Sequence, residues 1–439
     1  MIVSRIVLRL SGVEAHMKPI RTSIFAGALL AAVATAQSQR YDIIDLGQLG
    51  AAPGQPFVIA NNGLIAGSVT VSDGAEHATL WYRGWKADFG QPGLGGANNI
   101  AFAVNDQGQA VGEAETTTPD PNTEDFCGFK AMGFPKSGNT CMAFVWHYGL
   151  MSALPTLGGS NGVANNVNSR GEVVGMAENT AFDKSCPAPQ LFQFKPVLWK
   201  NGTALELPVI DGDLDGLTYA INDQGQAVGS SGGCAAFNPI FLNNFAPVHA
   251  VLWENGSATD LKSLGGASGN VAIDINTQGH VIGYSDLKGD TTFDAFFWTK
   301  ETGMQDLKTL SGDVASQAIG INDSDDVVGV SLDKNFNPRG FYWKDGTITD
   351  LNTVLLSNPA GLYLITACSI NARGEIIGIA VDSAGNSHGY MAAPRSPDDD
   401  EEATVPAVRE IELPENVRSL IRQQFHFERL HVQPTEREK

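Results

Sequence analysis

The stretch Asn105-Asp106-Gln107-Gly108-Gln109-Ala110-Val111-Gly112 returns letter for letter at positions 222–229. An identity of that length inside one chain points to duplication, and looser copies lie between and beyond the two. Asn anchors stand at 105, 168, 222, 276, 322 and 371, with Ala60 in the equivalent first place. Seven positions after each anchor comes Gly: Gly67, Gly112, Gly175, Gly229, Gly283, Gly329 and Gly378. A further Gly follows each anchor at the third place, except that Asp325 replaces it in the sixth copy. Downstream, Trp closes an apolar run at 81, 146, 199, 253, 298 and 343, with Tyr390-Met391 in the last copy. Only Trp85 falls outside the scheme. The chain therefore holds seven units of about 45–63 residues, a period that signals solenoids or propellers.

The octapeptide reads as a hairpin corner. Asn at the first position, polar residues in the centre and Gly at the fourth describe a type I turn, with Gly free to take a positive φ. The Asn side chain can bond the backbone two residues on. Gln-Ala-Val-Gly then alternates polar and apolar, as a strand with one packed face should. The final Gly removes Cβ where backbones approach closely or the strand bends. Trp at the end of the third strand fills the gap between neighbouring sheets.

Four short strands per unit and seven units predict an all-β, seven-bladed propeller over residues 41–391. Tyr41-Asp42-Ile43-Ile44-Asp45-Leu46-Gly47 matches the fourth strands at Asp260-Leu261, Asp306-Leu307 and Asp350-Leu351. It precedes the first unit, and the seventh unit stops without a fourth strand. Residues 41–47 are therefore expected to pair into the last blade and close the ring, removing open sheet edges.

These units resemble the HAF family of probable extracellular repeats, named for His-Ala-Phe at the start of the third strand. The triplet varies here: His77-Ala78-Thr79, Met142-Ala143-Phe144, Lys195-Pro196-Val197, His249-Ala250-Val251, Asp294-Ala295-Phe296, Arg339-Gly340-Phe341 and His388-Gly389-Tyr390. The Ile-Asn-x-x-Gly-x-x-x-Gly core and the Leu-Gly-Gly ends fit more closely. The resemblance implies a secreted repeat protein and carries no activity to any residue.

Export is also written at the N-terminus. Met17-Lys18-Pro19-Ile20-Arg21 is a basic start, Thr22 to Val33 is apolar, and Ala34-Thr35-Ala36 is a cleavage site. Residues 1–36 read as a signal peptide, with 1–16 an extension ahead of its true start. The apolar run is too short to span a bilayer. A net charge of -20 argues against nucleic acid or anionic membrane as a partner. At the other end, 392–413 reads as an acidic disordered linker with Asp398-Asp399-Asp400-Glu401-Glu402. Residues 414–431 could form an amphipathic helix, with Val417, Leu420, Ile421 and Phe425 on one side.

Function is expected where the copies stop agreeing. The segments between second and third strands are long in blades two, three and four, roughly residues 113–142, 176–195 and 230–249. They hold Phe126, Phe129, Phe134, Phe182, Phe192, Phe194, Phe237, Phe241 and Phe245. Long loops on a rigid scaffold are where binding resides. Those aromatics form either a ligand-binding patch or a satellite core under the loops. In an exported chain the four loop cysteines are expected as Cys127–Cys141 and Cys186–Cys234, while Cys368 reads as a small buried apolar residue.

Catalytic patterns are sparse. Asp274 is the one ionisable residue on the expected inner strands, so they offer no acid/base pair. His77, His249 and His388 share one repeat position and read as structural. Asp211-Gly212-Asp213-Leu214-Asp215-Gly216 has the alternating carboxylates of a calcium loop, but its twelfth position is Asn222 rather than Glu. It reads either as a calcium site or as an ordinary acidic turn, and no other cofactor is implied. The expectation is a secreted, monomeric, non-enzymatic binding or scaffolding module for a protein or glycan ligand. The alternatives are an extracellular propeller enzyme acting on glycans, or a structural envelope component.

Overall fold

The computed structural model describes residues 39–49, 56–130, 132–238 and 243–395, with backbone alone at 56, 235–238 and 243–245. The chain divides into two units, 1–38 and 39–439, and every described residue belongs to the second. The expected signal peptide and C-terminal helix lie outside the described residues.

Seven sheets, antiparallel but for one short parallel pairing in the last, form a seven-bladed β-propeller. Blade one comprises Pro56–Ile59, Ile65–Thr70, Glu76–Tyr82 and Trp85–Asp88. The inner strands of blades two to six are Gly95–Val104, Gly162–Val167, Asp215–Ile221, Val271–Ile275 and Asp313–Ile321. Blade seven has a broken one, Tyr363–Leu364 and Ser369–Ile370. Successive inner strands touch, and that of blade one touches both blade two and blade seven.

Each octapeptide is the corner between the first and second strands. In blade two the N–H of Gly108 donates to the carbonyl of Asn105 at 3.0 Å, closing the turn. Gly108 has φ +76°, and Asp325 takes the same left-handed conformation at +59°. The Asn105 Oδ1 accepts the N–H groups of Gln107 (3.1 Å) and Gln109 (3.0 Å). Its Nδ2 donates to Gln109 Oε1 (2.8 Å) and, across the gap between blades, to the carbonyl of Asn168 (2.9 Å). Both donors and both acceptor sites of the amide are used.

The same reach is repeated around the ring. Asn168 donates to Asn222 O, Asn222 to Asn276 O, Asn276 to Asn322 O, Asn322 to Asn371 O, and Asn371 to Ala60 O, all at 2.9–3.3 Å. Ala60 has no amide to pass on. There Asn62 substitutes, its N–H donating to Asp106 Oδ1 (2.9 Å) and its Nδ2 to Asp106 O (3.0 Å).

Three Asp residues at fourth-strand ends have a similar double role. Asp88, Asp45 and Asp350 receive the N–H two residues on. They also pair with the residue that opens the third-strand triplet: His77 with Asp88 at 2.7 Å, His388 with Asp45 at 3.0 Å and Arg339 with Asp350 at 3.1 Å. The triplet histidines are structural, as the sequence suggests.

Ring closure follows the expected route. Tyr41–Gln48 lies antiparallel to Ser387–Pro394 in blade seven. Tyr41 and Ile43 are buried with Leu351, Val354, Leu355 and Tyr390. A further strand, Leu355–Ser357 from the blade six to seven connection, runs parallel to Tyr41–Asp42 and covers its outer side. Its three residues are too short a run to carry a sequence period. The expected linker starts too early, because Ala392–Pro394 complete the last strand.

The long segments of blades two to four are shorter as loops than the sequence suggests. Their hairpins extend to Ala110–Pro119 with Asn139–His147, Val173–Phe182 with Phe192–Lys200, and Ala227–Asn238 with Asn243–Glu254. Register shifts near Glu115, Glu178 and Gly232 break the alternation that would have marked these strands.

Deleting residues 41–48 removes Tyr41 and Ile43 from the blade-seven core and bares the Ser387–Pro394 edge. The expected cost exceeds about 5 kcal/mol, since each large buried side chain contributes about 2–5 kcal/mol. Solubility and thermal melting check this: a soluble truncation that melts with the intact protein contradicts closure by this strand.

Candidate binding channel and loop face

The inner strands of blades one to six share a bulge at one place. In blade two Ala101 pairs with Gly112 and Ala103 with Val111, so Phe102 has no partner in the ladder. The same shift leaves Phe57, Asn165, Tyr219, Ile273 and Ile319 unpaired. The glycine seven residues after each anchor permits this. A Cβ on Gly112, Gly175, Gly229, Gly283, Gly329 or Gly378 would come within 3.0 Å of a carbonyl oxygen of its own inner strand. Space, not φ, requires glycine here. In blade seven Cys368 occupies the corresponding place, three residues before Asn371.

A bulge turns its extra side chain out of the ladder. All seven of these residues line one cavity of ≈ 340 Å³ on the propeller axis, with Asp274, Gln317 and Ser369 among its other walls. Phe57 and Phe102 meet edge to face, 5.1 Å between centroids. Asp274 accepts the N–H groups of Ile275 (2.9 Å) and Ile321 (3.1 Å), and burial pushes its carboxyl up to about 7. Gln317 is 3% exposed and its Oε1 has no hydrogen-bond partner. Cys368 is a free thiol, pushed up to about 11 by burial. It packs against the apolar core, as expected for it, and also lines this cavity.

A second cavity of ≈ 210 Å³ lies at the ring of corners, lined by the Asn anchors and by Asp106, Asp223 and Asp323. Both cavities include Val58, Ile59, Asn166, Ile321 and Ile370 in their walls, so they lie next to each other along the inner strands. The sequence displays the clue to the inner chamber. Three places before each anchor the repeats read Phe, Phe, Asn, Tyr, Ile, Ile, Cys, while Ile or Val stands directly before every anchor; the column two places before varies as well, with Val58, Asn166, Asp274 and Ser369 among its residues. Without the bulge, nothing marks that column as facing the axis.

The loop aromatics have a different fate. Phe126, Phe129, Phe134 and Phe194 are buried, in one cluster with Ile100, Val163, Met176 and Leu217 of the blades. Phe57, Phe102 and Tyr219 pack against that cluster. These four rings thus join the loops to the channel wall and present no open face. Phe192 is half-buried and Phe182 is 58% exposed. Phe237, Phe241 and Phe245 lie outside the described side chains.

Both expected disulfides are present. Cys127–Cys141 ties the blade-two loop to its own third strand, and Cys186–Cys234 ties the blade-three loop to blade four. Loops two and three are also sewn together by Glu124, whose Oε1 accepts the N–H groups of Leu191 (2.9 Å) and Phe192 (3.3 Å).

Beneath the loops, buried polar struts join the blades. Seven residues before their anchors, Asn98, Asn161 and Asp215 each accept an N–H from the preceding blade's third strand: Glu76 (3.3 Å), Cys141 (2.9 Å) and Phe194 (3.0 Å). Asp215 is therefore a strut, and the alternating carboxylates do not converge. Asp213 is taken by His249 at 2.9 Å and by Ser231, and Asp211 is exposed. Among the described residues, two groups bring ligand-type atoms within 4.8 Å of one another: Glu113 with Cys127 and Cys141, and Asp215 with Cys186 and Cys234. In each, the cysteines are joined to one another.

Several carboxyls are held above their ordinary range. Burial raises Glu76, Asp215 and Asp294 to about 7, helped at Asp294 by its neighbour Asp306. Burial and then the Glu124 charge push Glu178 to about 8, against hydrogen bonds from Gln190 and Asn161. Glu113, buried with one oxygen unpartnered, is raised as well. Glu172 goes the other way: burial opposes ionisation, but hydrogen bonds from Lys200, Asn168 and Arg170 outweigh it and hold the group near 2.

No family model matches the chain, and no curated protein does. Solved structures align with the chain at low identity. A puromycin-hydrolyzing peptidase of Mycobacterium tuberculosis aligns at 11% identity and TM-score 0.39, over 77% of this chain and 60% of its own. A prolyl endopeptidase aligns at 10% identity and TM-score 0.49, over 82% of this chain and 50% of its own. An Aleuria aurantia lectin aligns at 8% identity and TM-score 0.33, over 83% and 100%. The chain thus spans about half to three-fifths of the two peptidases.

The raised carboxyls set the pH dependence of stability. A carboxyl whose pKa rises on folding binds its proton more tightly in the folded chain. Its contribution is complete below the unfolded value and is lost as pH climbs through the folded one. Glu76, Asp215, Asp274, Asp294 and Glu178 place that loss between about 4.5 and 8. Glu172, lowered to about 2, gives up its contribution only as pH falls from about 4 towards 2. The melting temperature is expected to peak near pH 5 and drop by several degrees at pH 8. A scan that is flat or rising from pH 5 to 8 contradicts this assignment.

Proposed function

We propose that the chain is an exported, non-enzymatic binding module of HAF-like repeats whose ligand enters the propeller channel. One observation carries the reading. Seven equivalent positions converge on a single chamber, and they are among those at which the repeats diverge (Phe57, Phe102, Asn165, Tyr219, Ile273, Ile319 and Cys368). A repeat that held those side chains only for packing would reuse one residue, as it reuses the Asn anchors and their glycines. A recess lined by aromatic and aliphatic groups with a few polar ones is the usual form of a small-ligand site.

Export is supported by the two disulfides, which persist in oxidising compartments. Among the described residues no helix is long and apolar enough to cross a membrane. The loops of blades two to four act as a lid core over the same end of the channel, with Phe182 as their exposed aromatic. Several buried carboxyls of that face are held by hydrogen bonds, Glu115 from Asn98, Glu178 from Asn161 and Gln190, and Asp215 from the Phe194 N–H of the preceding blade, which supports binding over catalysis.

Residues 37–439 should be presented to a glycan array and to a panel of small organic ligands, with the recovered ligands examined by mass spectrometry. Saturable binding with the ligand recovered unchanged is the expected result. Recovery of cleaved or modified ligand overturns the non-enzymatic reading.

A further inference from the structure

We propose that the inner chamber is a site for a compact aromatic ammonium, a flat ring carrying a primary or substituted amine, admitted through the corner face of the ring. This rests on the binding-module reading and assigns its ligand class.

The chamber walls divide into an apolar and an accepting part. Phe57, Phe102 and Tyr219 supply aromatic surface, and Ile273 and Ile319 supply aliphatic surface. Such faces favour a flat apolar body and attract a cation placed over them. The accepting part is Gln317 and Asp274. Gln317 stands where blades two to five carry Ile100, Val163, Leu217 and Val271, five residues before their anchors, while blades one and seven have Gln55 and Thr366 there. A buried amide there costs stability unless its oxygen finds a donor, yet no protein donor reaches it. Asp274 uses its two oxygens for Ile275 and Ile321, and a carboxylate has lone pairs left for a further donor. Both groups ask for an N–H or ammonium, not for an anion.

The approach has the same sign. Asp106, Asp223 and Asp323 line the outer chamber, and no Lys, Arg or His lines either chamber among the described residues. Arg170 and Arg373 stand at the rim, but each is paired with a glutamate, Glu172 and Glu375. A recess lined by one sign of charge concentrates cations and repels carboxylates. At ≈ 340 Å³ the chamber is at the small end of the range for organic ligands, about 300–1,000 Å³.

Cys368 gives a direct readout, because it lines the chamber and the other cysteines outside it are paired. The test uses the full mature chain, tryptamine as probe and indole-3-propionate as its charge-reversed control. Calorimetry should show tryptamine binding at least about tenfold tighter than the acid, the equivalent of one charge-assisted hydrogen bond. Tryptamine should also slow alkylation of Cys368 by N-ethylmaleimide, followed by intact mass, while the acid should not. Gln317→Leu should weaken tryptamine by about fivefold or more, while the acid's weaker binding changes less. Tryptamine that fails to bind, or that binds without protecting Cys368, overturns the site. So does a Cys368 that N-ethylmaleimide cannot reach in the folded chain. A glycan or peptide that binds and leaves Cys368 labelling unchanged also discards the chamber, but it leaves the binding-module reading standing.

Discussion

The hydrogen bond from an Asn side chain to the carbonyl of the next blade's corner is the contact on which the ring depends. A propeller blade alone is a small twisted sheet with two apolar faces, and it is stable only between neighbours. Hydrophobic packing holds blades together but does not fix their angle or height. The Asn amide does both at once. Its oxygen shapes its own corner through two backbone N–H groups, and its nitrogen reaches 2.9–3.3 Å into the next corner. Buried and fully paired, such an amide is specific to one geometry, because any slip leaves polar atoms unpaired. Asn62 and Asp106 carry the link that Ala60 omits, so the circle has no break.

From that fixed rim the rest of the channel follows. The corner sets where the second strand starts, and its seventh-place glycine lets the inner strand's carbonyl press into the sheet. The resulting bulge throws one side chain per blade toward the axis. Seven constant corners thereby display seven free choices. At the opposite end, Asn98, Asn161 and Asp215 repeat the strategy with different residues. The disulfides and the buried aromatics of blades two and three then tie their hairpins to the blades around the channel. Stability and variability are separated: the rim and struts are spent on closure, and the axial column is left for recognition.

Much of this was legible in the chain because repeats multiply weak signals. One type I turn says little, but the same Asn, Gly and Trp at fixed offsets give blade number, corner chemistry and strand order. The stray Tyr41–Gly47 strand gave closure. Three features were not legible, each for a physical reason. The bulge is a mismatch between two strands, so it has no signature in either one. The extended hairpins of blades two to four lose alternation at their register shifts and look like loops. Asp215 sits in a run that resembles calcium-binding sequence, and only its register with Asn98 and Asn161 reveals a strut. The loop phenylalanines were visible as a set, but composition alone could not separate an aromatic surface from an aromatic core.

The most direct measurement of the inter-blade amide is the stability of Asn222→Asp beside Asn222→Ala. Aspartate keeps the two backbone bonds accepted from Gln224 and Gln226 and loses only the donation to Asn276 O and Gln226 Oε1. If the reach between blades is what holds the ring, Asn222→Asp loses about 2–3 kcal/mol in denaturant unfolding, nearly as much as the alanine variant, since it leaves a buried carbonyl facing an oxygen. An aspartate variant as stable as the parent, beside a strongly weakened alanine variant, would show that the Asn serves only its own corner.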